Sequence, residues 1–126
     1  MNELTKEWVE KAEGDFNTAL REYRARKAPN YDAACFHAQQ CIEKYMKARL
    51  QHAGIPFGKT HDLIALLELC IPIEPLWEAF RTSLIILNRY AVDFRYPGES
   101  ATREEAKEAV SIMRSLHESM RKALGI

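Results

Sequence analysis

The chain has 126 residues and a mass of 14.5 kDa, the size of one ordinary domain with enough length to bury a core. Its 18 Lys and Arg balance 18 Asp and Glu, which excludes broad, charge-driven coating of nucleic acid or anionic membrane but leaves room for a local basic site. A composition 47% hydrophobic and 29% charged, with five Gly and five Pro, excludes disorder and argues against a β-rich or low-complexity chain.

The chain contains no apolar run near the roughly 20 residues that a membrane-spanning helix needs. The opening MNELTKEWVEKAEGDF is polar and acidic, unlike a secretory or transit leader, so a cytoplasmic protein is expected. Cys35, Cys41 and Cys70 make an odd set without a CxxC spacing, and no disulfide framework is expected.

Leu4, Trp8, Ala12, Phe16, Ala19, Leu20 and Tyr23 recur at helical spacing and predict a first helix over about 5–27. Its basic end, Arg21, Arg24, Arg26 and Lys27, suits a helix C-terminus, and Pro29-Asn30 breaks it. The second helix is predicted over about 31–53, stopping at Gly54. Tyr31, Ala34, Cys35, Ala38, Ile42, Tyr45 and Arg49 form one stripe, and Phe36 lies off it, so this helix is expected to touch partners on more than one side. A loop at 55–59 precedes a short helix over about 62–70, capped by Thr60 or Asp62 and apolar nearly all round.

Pro72 ends that helix, and Pro75 sits where a first-turn proline is tolerated. A fourth helix is predicted over about 75–92, with Leu76, Trp77, Phe80, Leu84, Leu87 and Ala91 facing the core. Ile85 and Ile86 widen that face beyond one bundle neighbour and point to a dimer interface. After a loop at 95–98, Thr102 and Glu105 form a capping box, and Ala106, Ala109, Val110, Met113, Leu116, Met120 and Leu124 give the last helix its inner stripe. The expected fold is all-α: a single-domain, up-and-down antiparallel bundle of four long helices plus one short helix, filling 1–126.

The sequence carries no glycine-rich phosphate loop, no HExxH and no recognisable Ser-His-Asp arrangement. His37 and Cys41 share a helix face, but nothing supplies two further ligands, so neither a metal site nor a cofactor is expected. His117 reads as a satisfied packing histidine, and Asp15 as a partner for a Lys or Arg across the bundle.

Three polar clusters stand out. His37, Gln40, Glu43, Lys44 and Lys47 lie on one broad side of the second helix; composition alone reads them as a solvated face, with a binding surface as the alternative. Lys59-Thr60-His61-Asp62-Leu63 reads as a cap and turn, with His61 beside it. Arg89-Tyr90 and Arg95-Tyr96-Pro97 suit phosphate and base contact, and a structural use of Arg95 on terminal carbonyls serves equally well.

Taken together, Trp8, Ala12 and Asp15-Phe16, then FHAQQCIEKYMKA at 36–48, KTHDL at 59–63 and RYP at 95–97 resemble the HEPN domain family (higher eukaryotes and prokaryotes nucleotide-binding) over about 5–122. The resemblance implies a helical bundle, usually homodimeric. Many members partner a minimal nucleotidyltransferase in toxin–antitoxin pairs, and others are metal-independent ribonucleases. In the ribonucleases an Arg is followed by a polar residue, a few spacers and a His.

Arg89 matches the motif Arg, but the His position falls on Phe94, Arg95 or Tyr96. An arginine does not give up its proton and cannot act as general base. The sequence thus looks closer to a non-nuclease branch that ends in RYP. The expected function is a dimeric nucleotide- or RNA-phosphate-binding module, with Arg89, Arg95 and Lys59 as anion contacts, Tyr96 as a stacking platform, Lys44 and Lys47 as local positive charge, and His37 and His61 beside them. The alternatives are a ribonuclease with a variant site, in which His37 or His61 replaces the absent base, and an interaction subunit without a ligand.

Overall fold

The first helix, α1 (Glu3–Arg24), starts where Asn2 accepts a hydrogen bond from the Thr5 amide at 2.8 Å. The structure, a computed structural model, describes residues 1–92 and 96–126. α1 ends three residues before the predicted 27, because Ala25 turns to ψ 130° and Ala28, immediately before Pro29, takes a φ of 46°. α2 (Tyr31–Ala53) matches its predicted bounds. Asn30 caps it through the Ala33 amide at 2.9 Å, and Gly54, at φ 71°, closes it in a left-handed turn whose Ile55 amide returns to the Leu50 carbonyl at 2.9 Å.

α2 is the central element, packed on α1 along one side and on α5 (Arg103–Ala123) along another. Small residues line the contact: Ala12 and Ala19 of α1, Ala34 and Ala38 of α2, and Ala106 and Ala109 of α5 are all fully buried. Ile42, Tyr45, Met46, Met113 and Met120 fill the space between them. α5 begins at the expected capping box: the Glu105 amide donates to Thr102 Oγ1 at 3.0 Å, and the Thr102 amide to Glu105 Oε1 at 2.9 Å. Just before it, the Ala101 amide donates to Asp32 Oδ1 at 2.7 Å, fastening this end of the chain to the first turn of α2.

α3 (Leu63–Cys70) is capped by Asp62, which accepts from the Ile64 amide at 2.9 Å. The segment predicted as one helix over 75–92 is helical from Pro75 to Tyr90 but not uniformly α. It runs as a 3-10 turn (Pro75–Phe80), a short α4 (Arg81–Leu87) and a second 3-10 turn (Asn88–Tyr90). Leu84, Leu87 and Tyr90 are its buried residues toward the end, a three-residue repeat that suits the 3-10 turn as well as the α-helix before it. The fourth long helix is therefore a composite of short pieces. Leu76, assigned to the core from the sequence, is 86% exposed, while its neighbour Trp77 is buried. Ile85 is half exposed and Ile86 partly buried.

All three cysteines are buried free thiols. Burial pushes the Cys70 thiol up to about 12, and burial with the negative charges of Asp15 and Glu13 pushes Cys41 well above its usual value, so both behave as packing groups. Among the described residues the fold is an all-helical bundle, and no helix is long and apolar enough to cross a membrane.

Candidate functional site

The polar side of α2 is not solvated. Gln39, Gln40, Glu43 and Lys47 are all buried, which corrects the reading from composition. α1 and the loop at 55–62 cover that side, and a buried polar group must then find partners within the protein. Glu43 finds several. Its Oε1 accepts from Gln39 Nε2 and Gln40 Nε2, each at 3.3 Å, and its Oε2 accepts from Lys47 Nζ at 3.0 Å. His61 closes the set, with Nδ1 at 3.0 Å from Oε1 and 3.2 Å from Oε2. Gln39 also donates to the His61 carbonyl at 3.0 Å, so both the backbone and the ring of this loop residue are tied to α2.

The spacing explains the local geometry. Gln39, Glu43 and Lys47 stand four apart and share one line along the helix. Lys47 Nζ also lies 5.5 Å from the centroid of the Trp8 ring of α1, a cation–π contact that holds the ammonium where water is scarce. Trp8 meets Phe57 of the loop edge to face, with centroids 6.0 Å apart. Between these rings and α2 lies a cleft of about 450 Å³, lined by Trp8, Gln40, Glu43, Lys44, Lys47, Phe57, Gly58, Lys59 and His61. Lys59 is exposed and has no ion-pair partner among the described residues, and the His61 side chain is 62% exposed.

A second carboxylate lies behind the first. Asp15 of α1 is buried and takes Lys44 Nζ at 2.6 Å and His37 Nδ1 at 2.7 Å, which supplies the cross-bundle partner expected for Asp15. Through Lys44, His37 joins the network that borders the cleft. Just before Asp15 on α1, one oxygen of Glu13 accepts from Tyr45 Oη, from His117 Nε2 at 2.7 Å and from Arg121 at 3.0 Å. Burial pushes the Glu13 carboxyl up, but the Tyr45 and His117 hydrogen bonds and the His117 and Arg121 charges outweigh it and hold the group below its ordinary 4.5. Burial and the neighbouring carboxylate push the Tyr45 phenol well above its usual value. His117 stacks on Phe16 with centroids 3.9 Å apart, the satisfied packing histidine that its position predicts. This group ties α5 to α1 and α2, with Tyr45 Oη and His117 Nε2 committed to Glu13 and Arg121 shared between Glu13 and Tyr45.

Four of the predicted site residues, Lys44, Lys47, Lys59 and His61, line one cleft, and His37 adjoins it through Asp15. Arg89 is exposed on the 3-10 turn after α4, and Tyr96 is 63% exposed; neither lines the cleft. Arg95 lies outside the described residues. The turn that carries Arg89 is nevertheless fixed to the His61 loop: Asn88 Nδ2 donates to Asp62 Oδ1 at 3.1 Å, and Asn88 Oδ1 accepts from the Leu63 amide at 2.9 Å. Sequence reasoning passed over Gln39, the depth of Glu43, and Trp8 and Phe57 as cleft walls. The Gln39–Glu43–Lys47 spacing was the available signal. Among the described residues, no three His, Cys, Asp or Glu side chains are grouped to hold a metal ion.

Chemically, the cleft offers three ammonium groups near two buried carboxylates, an imidazole at the rim and two aromatic rings. Compared with known protein families, residues 5–123 match the HEPN domain. No curated protein and no solved structure matches the chain. The family match spans nearly the whole bundle, including every element that builds the cleft, and the chain belongs to the HEPN domain family.

Proposed function

We propose that this HEPN protein is a nucleotide- or RNA-phosphate-binding module whose ligand lies in the cleft between α2 and the 55–62 loop. One observation carries the reading: Lys44, Lys47, Lys59 and His61 surround a single cleft walled by Trp8 and Phe57. Ammonium groups and an imidazole recognise phosphate oxygens, and an aromatic wall accepts a base without regard to its sequence. Lys44 and Lys47 are already paired with Asp15 and Glu43, so Lys59 is the cation with most to gain from an incoming anion. Arg89 and Tyr96 are exposed and do not line that cleft, which leaves surface for a partner. We assign that surface to a minimal nucleotidyltransferase of the toxin–antitoxin type, with the protein acting as a cytoplasmic homodimer. Cleavage of RNA at a variant site is less well supported, because Arg89, which it assigns to the phosphorane, does not line the cleft that holds His61.

Calorimetry with ATP, GTP and a short RNA tests the binding. Lys59→Ala is expected to weaken the ligand that binds by about tenfold, in line with the loss of one charge-assisted contact. For RNA it should also flatten the slope of log affinity against log salt by about 0.7, the contribution of one single-strand phosphate contact. Absence of binding to all three ligands, or affinities unchanged in Lys59→Ala, overturns the assignment.

A further inference from the structure

His61 differs from the other three histidines in a way that phosphate binding does not use. Its Nδ1 faces both oxygens of Glu43, at 3.0 and 3.2 Å, and Glu43 is a side chain only 3% exposed. A carboxylate only accepts, so Nδ1 carries a proton, and in the neutral ring the lone pair is on Nε2. Nε2 has no hydrogen-bond partner among the described residues, and its ring edge stands at the rim of the cleft. The carboxylate cannot swing away, because Gln39, Gln40 and Lys47 hold it and the Gln39 amide holds the His61 backbone. The neutral imidazole is thus held in one tautomer on a cleft that Lys44 and Lys59 also line.

That arrangement is a nucleophile's. We propose that His61 Nε2 accepts a phosphoryl group from a small activated donor, an acyl phosphate or phosphoramidate, making His61 a phosphohistidine site. The proposal rests on the cleft being an anion site. With phosphoramidate, the Nε2 lone pair forms the N–P bond while the donor's P–N bond breaks and ammonia leaves with that electron pair. Positive charge develops on the imidazole ring, and Glu43, across the Nδ1 hydrogen bond, stabilises it until the Nδ1 proton passes to solvent. The transferred phosphoryl oxygens sit beside the Lys59 and Lys44 ammonium groups.

The other histidines serve as controls within the same molecule. His52 is exposed, and no partner of its ring lies among the described residues. His37 is also held through Nδ1 by a carboxylate, but it does not line the cleft and its side chain is only 27% exposed. His117 uses Nε2 on Glu13 and is covered by Phe16.

The intact protein is incubated with potassium phosphoramidate, and the rate of adduct formation at each histidine is followed by mass spectrometry under non-acidic conditions. His61 is expected to react at least about tenfold faster than His52, and Glu43→Gln is expected to bring His61 down to the His52 rate while leaving His52 itself unchanged. Equal rates at His61 and His52 in the wild-type chain overturn the proposal without need of any variant. A fast His61 that is indifferent to Glu43→Gln overturns the positioning role of Glu43. Inorganic phosphate binding, followed by calorimetry on the same sample, separates the two readings. Phosphate bound with a slow His61 removes this inference alone, whereas no phosphate bound removes the anion site as well.

Discussion

A single oxygen of Glu13 receives three donors from two other helices, which concentrates much of the α1–α5 attachment on one atom. The carboxyl is held below its ordinary 4.5, so Glu13 contributes stability that is present above that value and is lost as pH falls through its folded pKa. Glu13→Gln, which keeps the shape but removes the charge, is expected to cost about 1.5 kcal/mol at neutral pH, the lower end for hydrogen bonds to a charged group because the carboxyl is partly solvated. Urea unfolding at neutral pH and again near about pH 3 checks the sign: the gap between the two proteins narrows in acid. A gap that stays constant would show that the cost comes from packing rather than charge. At Glu43 the same kind of group is buried far more deeply. The residue type advertised a solvated face; the Gln39–Glu43–Lys47 spacing hints at a line of partners, but the contact with His61 lies 18 positions away. A contact of that separation leaves no trace in helical periodicity, which is why the cleft was only partly legible. Its lysines were readable as cations; of the aromatic walls, Trp8 looked like core and Phe57 like part of a loop.

Among the elements, those with strong local signals were readable to within a few residues. α5 carries a capping box and an unbroken apolar stripe, and every residue assigned to that stripe is buried. α2 carries Asn30 and Gly54 at its ends. The segment Pro75–Tyr90 misled because apolar residues three apart satisfy a helical pattern as well as a 3-10 one. Only tertiary packing decides between them. α3 is the element most dependent on its cap: eight residues are too few to hold a helix unaided. Asp62 supplies the cap and also accepts from Asn88. Asp62→Ala is therefore expected to lose about 1–2 kcal/mol, the upper part of the range for an N-cap, because it also unfastens the turn that carries Arg89. Thermal unfolding measures the total. Amide exchange would place the loss in 61–70 and 88–90 together; exchange raised in 61–70 alone would show that the two turns are not joined energetically.

At the scale of the whole molecule, the zero net charge includes several groups paired within the bundle. Lys44, Lys47 and Arg121 are each matched to a carboxylate inside the bundle, and Lys59 remains at the cleft. A molecule so balanced is not drawn to polyanions in general, and any nucleotide affinity must come from one place. The apolar surplus noted at Ile85 bears on assembly. With Ile85 51% exposed and Leu76 86% exposed, the composite fourth helix presents aliphatic side chains that the chain itself does not cover. For the proposed homodimer, light scattering is expected to give twice the mass of one chain, and Ile85→Glu to shift the protein toward monomer by burying a charge at the interface. A wild-type monomer at high concentration, or a dimer indifferent to Ile85→Glu, would remove the interface from this helix.

The hydrogen bond from the Ala101 amide to Asp32 has a consequence for how the chain tolerates added length. Ala101 is clamped to α2, so the exposed turn at 97–100 that leads into it is fixed at that end by the bundle. The entropy of closing such a loop grows only with the logarithm of its length, about 0.6 kcal/mol for each doubling. Residues inserted in the turn at 97–100 tax the fold lightly, provided that the Ala101 anchor stays in place, and a tag or a longer recognition segment can be grafted there without repacking the helices.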